Sequence, residues 1–133
     1  FNSGIGKKIA QLLCKNNTLK CLVLNENKIT SDDGNEIFDI LSGNTSLTHL
    51  DILYNSLDHK SESGYLIAED LDKNTNLKFL NLQNNNFTIE TIQSFINNLL
   101  KNIALIRLDL SFNLKFEDIQ HIQQYIEQKE YDT

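Results

Sequence analysis

The sequence predicts an α/β fold, a single stack of strand–turn–helix units, and three observations carry that expectation. The segment Leu19, Leu22, Leu24, Asn27, Ile29 recurs with the same spacing as Leu47, Leu50, Ile52, Asn55, Leu57, then as Leu77, Leu80, Leu82, Asn85, Phe87, and in part as Leu105, Leu108, Leu110, Asn113. The copies begin 28, 30 and 28 residues apart, the fixed period that marks a repeat architecture. The stretches between the copies keep phase as well. Thirteen positions before each leading leucine stand Gly6, Gly34, Gly64 and Ile92; ten before stand Ile9, Ile37, Ile67 and Phe95; six before stand Leu13, Leu41, Leu71 and Leu99; three before stand Asn16, Asn44, Asn74 and Asn102. Lastly, 133 residues with 40% apolar and 23% charged side chains suit one domain with a continuous core.

Each element follows from these columns. Around every L-x-L the side chains alternate, so Leu22 and Leu24 and their equivalents point into the stack while the residues between them point out. The apolar columns ten and six positions before each copy lie four residues apart, on one face of a helix. Residues 1–18 match the helical half of a unit and are expected to be a partial repeat or an N-terminal cap helix. Residues 19–46, 47–76 and 77–104 are full repeats, and 105–133 is a last repeat with a C-terminal cap helix. In that last unit Lys115 stands where an apolar residue is expected, and polar residues such as Gln120, Gln123, Gln124 and Glu127 alternate with Phe116, Ile119, Ile122 and Ile126. Such a polar helix shields an end repeat from solvent. The acidic stretch from Glu127 to Thr133 is expected to fray.

One unit cannot bury its own apolar stripe, so stability is expected from contact between neighbouring units. The glycine column lets each helix start approach its neighbour, and Ile92 breaks it. Strands on one side and thicker helices on the other make the stack curve, with the strands on the concave face.

The L-x-x-L-x-L-x-x-N-x-L pattern, carried over nearly the whole chain, resembles the leucine-rich repeat family. The 28-residue period with a full helix is similar to the ribonuclease-inhibitor class, which includes tropomodulin-like and immune-receptor repeats. The resemblance implies a leucine-rich repeat solenoid. It also implies that Asn27, Asn55, Asn85 and Asn113 form a ladder that bonds the buried backbone of the turns. The other asparagines among the 18 read as compositional drift; Asn16, Asn44 and Asn86 head N-x-S/T sequons that chance supplies in so asparagine-rich a chain.

Charge and composition exclude several function classes. A net charge of −6 argues against a nucleic-acid binder and against adsorption to an anionic membrane. No apolar run is long enough to span a bilayer, and the first residues lack the pattern of a secretory signal. Cys14 and Cys21 give neither a disulfide framework nor a zinc spacing, and read as free thiols of a reducing, cytoplasmic compartment. His49, His59 and His121 are scattered without metal-ligand spacing, so neither metal nor cofactor is expected. Cys21 and His49 share a column on adjacent strands, the pairing of a nucleophile and its base. Nothing beside them suggests an oxyanion hole, and the repeat alone brings them together, so no enzyme is expected.

The repeat register instead locates a binding surface. The first outward column is Cys21, His49, Phe79 and Arg107; the second is Val23, Asp51, Asn81 and Asp109. The third is Asn25, Leu53, Gln83 and Ser111, and the fourth Glu26, Tyr54, Asn84 and Phe112. Apolar and aromatic groups on a wet face mark contact sites, and charges of both signs orient a partner. The alternative for Tyr54 and Phe112 is packing back over the neighbouring turn. The expected function is a monomeric module that grips a folded protein through the concave face and masks or inhibits it. Resemblance to the leucine-rich effectors of intracellular bacteria implies delivery into a host cell. The alternatives are the recognition arm of a larger enzyme or receptor, and an actin-associated scaffold like the tropomodulin repeats.

Overall fold

The structure, a computed structural model, describes residues 4–57, 63–99, 101 and 104–132; His59, Asn102 and Thr133 of the sequence reading lie outside them. Helices and strands alternate along the chain: α1 Ile5–Lys15, β1 Cys21–Val23, α2 Ser31–Leu41, β2 His49–Asp51, α3 Ser63–Lys73, β3 Phe79–Asn81, α4 Ile89–Leu99, β4 Arg107–Asp109 and α5 Phe116–Asp132. The strands form one parallel sheet in chain order β1-β2-β3-β4. Cys21 pairs with His49, His49 with Phe79, and Phe79 with Arg107, so the strand register is the column register of the repeat.

The core runs between the sheet and the helix layer. Leu50 and Leu80 at the strand centres, Ile52 and Leu82 beyond them, and Ile37, Ile67 and Phe95 on the helices are all buried. At the ends of the sheet Leu22, Leu24, Leu108 and Leu110 are only half-buried. Each unit covers its neighbour, so inner units bury both sides and outer ones a single side. Fully burying a leucine is worth about 1.5–3 kcal/mol, and the outer units gain only part of that.

The glycine column works by close approach. A Cβ on Gly6 would stand 2.3 Å from the Cα of Asp33, and one on Gly64 would stand 2.2 Å from Cγ2 of Thr91. Both neighbours occupy the third position after a helix cap. Thr30 caps α2 in a capping box: its hydroxyl accepts the Asp33 N–H at 3.4 Å and the Asp33 carboxylate accepts the Thr30 N–H at 3.1 Å. Thr88 caps α4 with its hydroxyl, which accepts the Thr91 N–H at 3.3 Å. Ile92, which breaks the glycine column, is buried.

Two asparagine ladders pin the turns. At the strand exit, Asn55 Oδ1 accepts from the N–H groups of Asn27 at 3.1 Å and Ile29 at 2.9 Å, while its Nδ2 donates to the carbonyls of Leu24, Ile52 and Leu53. Asn113 does the same for Asn85 and Phe87. Between them the ladder is interrupted: among the described residues Asn85 donates through Nδ2, but its buried Oδ1 accepts nothing. The second ladder was not read from the sequence. Asn44 Oδ1 accepts the N–H groups of Ser46 and Leu47 where helix turns to strand, and its Nδ2 reaches back to the carbonyl of Leu13. Asn16 and Asn74 repeat the Oδ1 pattern, and Asn74 Nδ2 donates to the Leu41 carbonyl. Asn16 and Asn44 are therefore turn-forming residues, not drift.

The last helix departs from expectation. It continues to Asp132, so the stretch from Glu127 expected to fray is helical; no proline or glycine interrupts it, and its Gln, Glu and Lys are good helix formers. Of its isoleucines, Ile122 packs against the core, whereas Ile119 and Ile126 are exposed. Tyr125 ties it to α4 by donating its hydroxyl to Asn97 Oδ1 at 2.6 Å.

Candidate functional site

The face of the sheet turned away from the helices carries the predicted outward columns. A shallow groove of about 370 Å³ crosses all four strands. Its walls are Cys21, Val23, His49, Asp51, Phe79, Asn81, Arg107 and Asp109, the whole of the first two columns, and Leu50 and Leu80 contribute to its floor.

Within the first column the His49 and Phe79 rings stack at 4.4 Å between centroids, 22° from parallel. Register sets this contact: paired residues on adjacent strands sit about 4.8 Å apart. The Thr48 hydroxyl lies 2.8 Å from Nδ1 of His49 and fixes the ring further. Cys21 is His49's register partner on the other side and is an exposed free thiol. Arg107 ends the row, exposed, with its guanidinium 3.8 Å from the Asp109 carboxylate.

The second column has a structural part that sequence reasoning missed. The side-chain oxygens of Asp51, Asn81 and Asp109 accept the N–H two residues ahead, from Leu53 at 3.4 Å, Gln83 at 3.1 Å and Ser111 at 3.1 Å. These are Asx turns, in which a short polar side chain ends the strand. The signal was present as Asp or Asn at the same position in three units. Val23 alone in this column lacks such a group, and its side chain is 59% exposed. Asp109 is the most engaged: it also accepts from the Ser111 hydroxyl and from Gln83 Nε2. The Ser111 hydroxyl above all, helped by its N–H, by Gln83 and by Arg107, holds the Asp109 carboxyl below the ordinary carboxylate value, against a smaller opposing effect of burial.

In the third column Asn25, Leu53 and Gln83 are half-buried, and Asn25 Oδ1 accepts the Leu53 N–H at 3.1 Å. The fourth column is set apart by its backbone. Glu26, Tyr54, Asn84 and Phe112 all have left-handed φ, at 58°, 59°, 52° and 60°. Tyr54 and Phe112 are 61% and 75% exposed, so the alternative that they pack over the neighbouring turn is not what the structure shows. Sequence reasoning also left out the residues just before the first column, Lys20, Lys78 and Ile106, which are exposed at the start of the strands. Their signal was the repeat position itself.

Among the described residues no three His, Cys, Asp or Glu side chains gather as metal ligands, and no helix is long and apolar enough to cross a membrane.

The sequence matches no family model and no curated protein. Among solved structures the chain is similar to leiomodin-1 actin-binding site 2, with a TM-score of 0.75 at 19% identity, covering 96% of this chain and 73% of that one. At that identity the likeness is one of fold.

Proposed function

We propose that this chain is a leucine-rich repeat solenoid that acts as a protein-binding scaffold, gripping a folded partner through the open sheet face. The observation that carries the reading is the groove across all four strands, walled by apolar, aromatic and oppositely charged side chains. The fold itself needs Leu50 and Leu80 beneath it, whereas exposed Val23 and Arg107 are free to serve a partner. Aromatic and arginine side chains are the groups that most often anchor interfaces. Binding rather than catalysis is part of the reading: the His49 ring beside Cys21 is committed to Phe79 and Thr48.

The test is capture and cross-linking of partners by the intact chain and by a variant carrying Val23→Ser, Phe79→Ala and Arg107→Ala. A protein held by the first and lost by the second supports the reading. Equal capture by both moves the site off the sheet face, and no capture by either overturns it.

A second reading, an actin-associated scaffold, is favoured by the likeness to a leiomodin actin-binding site. Co-sedimentation with actin filaments and native electrophoresis with actin monomers test it; actin bound in neither sinks it. Masking of a partner is a narrower form of the first reading and would show as loss of the captured protein's activity when the chain is added. Delivery into a host cell as a bacterial effector would show as translocation of a reporter fused to the full reading frame. A reducing compartment such as the cytoplasm is supported by the exposed free thiols of Cys14 and Cys21.

A further inference from the structure

The rim where the chain leaves the strands has its own geometry. Tyr54, Asn84 and Phe112 each stand three residues beyond register partners, Asp51, Asn81 and Asp109. The pairing carries on past the strands, since Tyr54 N–H donates to the Gln83 carbonyl at 2.9 Å and Asn84 N–H to the Ser111 carbonyl at 3.3 Å. Tyr54 and Phe112 are therefore two strand spacings apart, about 9.6 Å. A polyproline-II helix rises about 3.1 Å per residue with three residues per turn, so residues three apart repeat about every 9.3 Å. The two lengths match.

The chemistry agrees with the spacing. Polyproline-II segments dock on aromatic side chains, and their backbone carbonyls, unbonded within the helix, accept hydrogen bonds from amides. Asn84 supplies a half-buried amide between the two aromatic rings. Glu26, exposed at the same position of the preceding unit, puts a carboxylate one spacing beyond Tyr54, on a chain of net charge −6. A groove of about 380 Å³ lined by Glu26, Lys28, Tyr54, Ser56, Asn84 and Asn86 runs beside the first three members of the row and stops short of Phe112. The turn gives all four positions of this row a left-handed backbone, and at two of them it holds a large aromatic out in solvent.

We propose that the Tyr54–Asn84–Phe112 rim binds a proline-rich, polyproline-II segment of a protein partner, with a basic residue at the end that meets Glu26. It deepens the protein-binding reading and rests on it.

The test is a fluorescence-anisotropy titration with a labelled peptide of about ten residues, proline at every third position and arginine at one end. A control peptide has glycine in place of each proline. The variants are Tyr54→Gly and Phe112→Gly, because glycine accepts the left-handed backbone and the fold survives, together with Tyr65→Ala, which removes an exposed aromatic on α3 outside both grooves. The proline peptide should bind the intact chain, bind either glycine variant about tenfold more weakly or worse, and bind Tyr65→Ala unchanged. The glycine peptide should not bind. No saturable binding of the proline peptide, equal binding by the glycine variants, or equal binding of both peptides overturns the proposal. A partner captured through Phe79 while the peptide fails to bind would remove this inference and leave the protein-binding reading standing.

Discussion

The Asp33 carboxylate on α2 accepts the Gly6 amide hydrogen of α1 at 2.9 Å, while a Cβ placed on Gly6 would lie 2.3 Å from the Asp33 Cα. One acidic side chain thus caps its own helix and fastens the start of the preceding one, and it reaches that far only because the residue opposite has no side chain. Replacing Gly6 by Ala should push α1 away from α2 and cost about 1–3 kcal/mol, the range for overpacking. Gly43, with nothing within 4 Å of an added Cβ, is the control, and Gly43→Ala should change stability by no more than about 0.5 kcal/mol. Urea denaturation of the two variants checks the contrast; equal midpoints would remove the close approach as a source of stability.

The strand-exit ladder predicts unequal asparagines. Asn55 is buried and serves five backbone groups, so Asn55→Ala should destabilise by roughly 2–4 kcal/mol as those groups lose their partner. Asn27 stands at the same repeat position but is exposed, and among the described residues its Nδ2 donates only to the Asn25 carbonyl. Asn27→Ala should fall within about 0.5 kcal/mol of the unchanged chain. Thermal melts of both proteins decide the matter.

At Tyr54, φ is 59°, where an alanine side chain is as strained as tyrosine and glycine is not. Tyr54→Gly should therefore be more stable than Tyr54→Ala by about 1 kcal/mol, although glycine is normally the less favourable residue. The reverse order in chemical denaturation would show that the turn relaxes away from the left-handed region in solution.

Two aspartates give opposite pH dependence. Asp109 titrates below the ordinary 3.8 in the folded chain, so it stabilises the fold above that value, and its contribution is lost as pH falls through the lowered folded value. Asp70 is shifted up, chiefly by burial, which outweighs the nearby Lys73 at 3.6 Å. It binds its proton more readily when folded, so its ionisation weakens the fold as pH rises through the raised value. Asp109→Asn should be destabilising at neutral pH and converge on the unchanged chain as pH falls through the lowered folded value. Asp70→Asn should gain relative stability from acid toward neutral pH. Denaturation midpoints across pH 2–7 test both signs.

Much of this architecture is written in the chain. Spacing alone placed Leu22, Leu50, Leu80 and Leu108 at one level, and the observed pairing of those residues is the same. The columns of the candidate groove were legible for the same reason, because register fixes which residues neighbour each other across parallel strands. What each outward side chain does once there was not legible. The bonds of Asp51, Asn81 and Asp109 to the N–H two residues ahead depend on backbone direction at the strand end, which a column of letters does not give. The left-handed φ of Tyr54 and Phe112 escaped for a related reason: tyrosine and phenylalanine carry no glycine-like signal, and only the turn geometry imposes the conformation. Asn16, Asn44 and Asn74 were visible as a column, but their role depends on a backbone that reaches across units.

Among the described residues each helix touches the helix before and after it, and each strand its immediate neighbours, and no helix meets a helix, nor strand a strand, further along the stack. None of these contacts, then, measures the length of the stack. A unit copied or excised between two others exchanges like for like at each junction, and the disturbance stops at the adjoining units. An ancestor could have lengthened the groove by one row of side chains in a single duplication, without redesigning the rest.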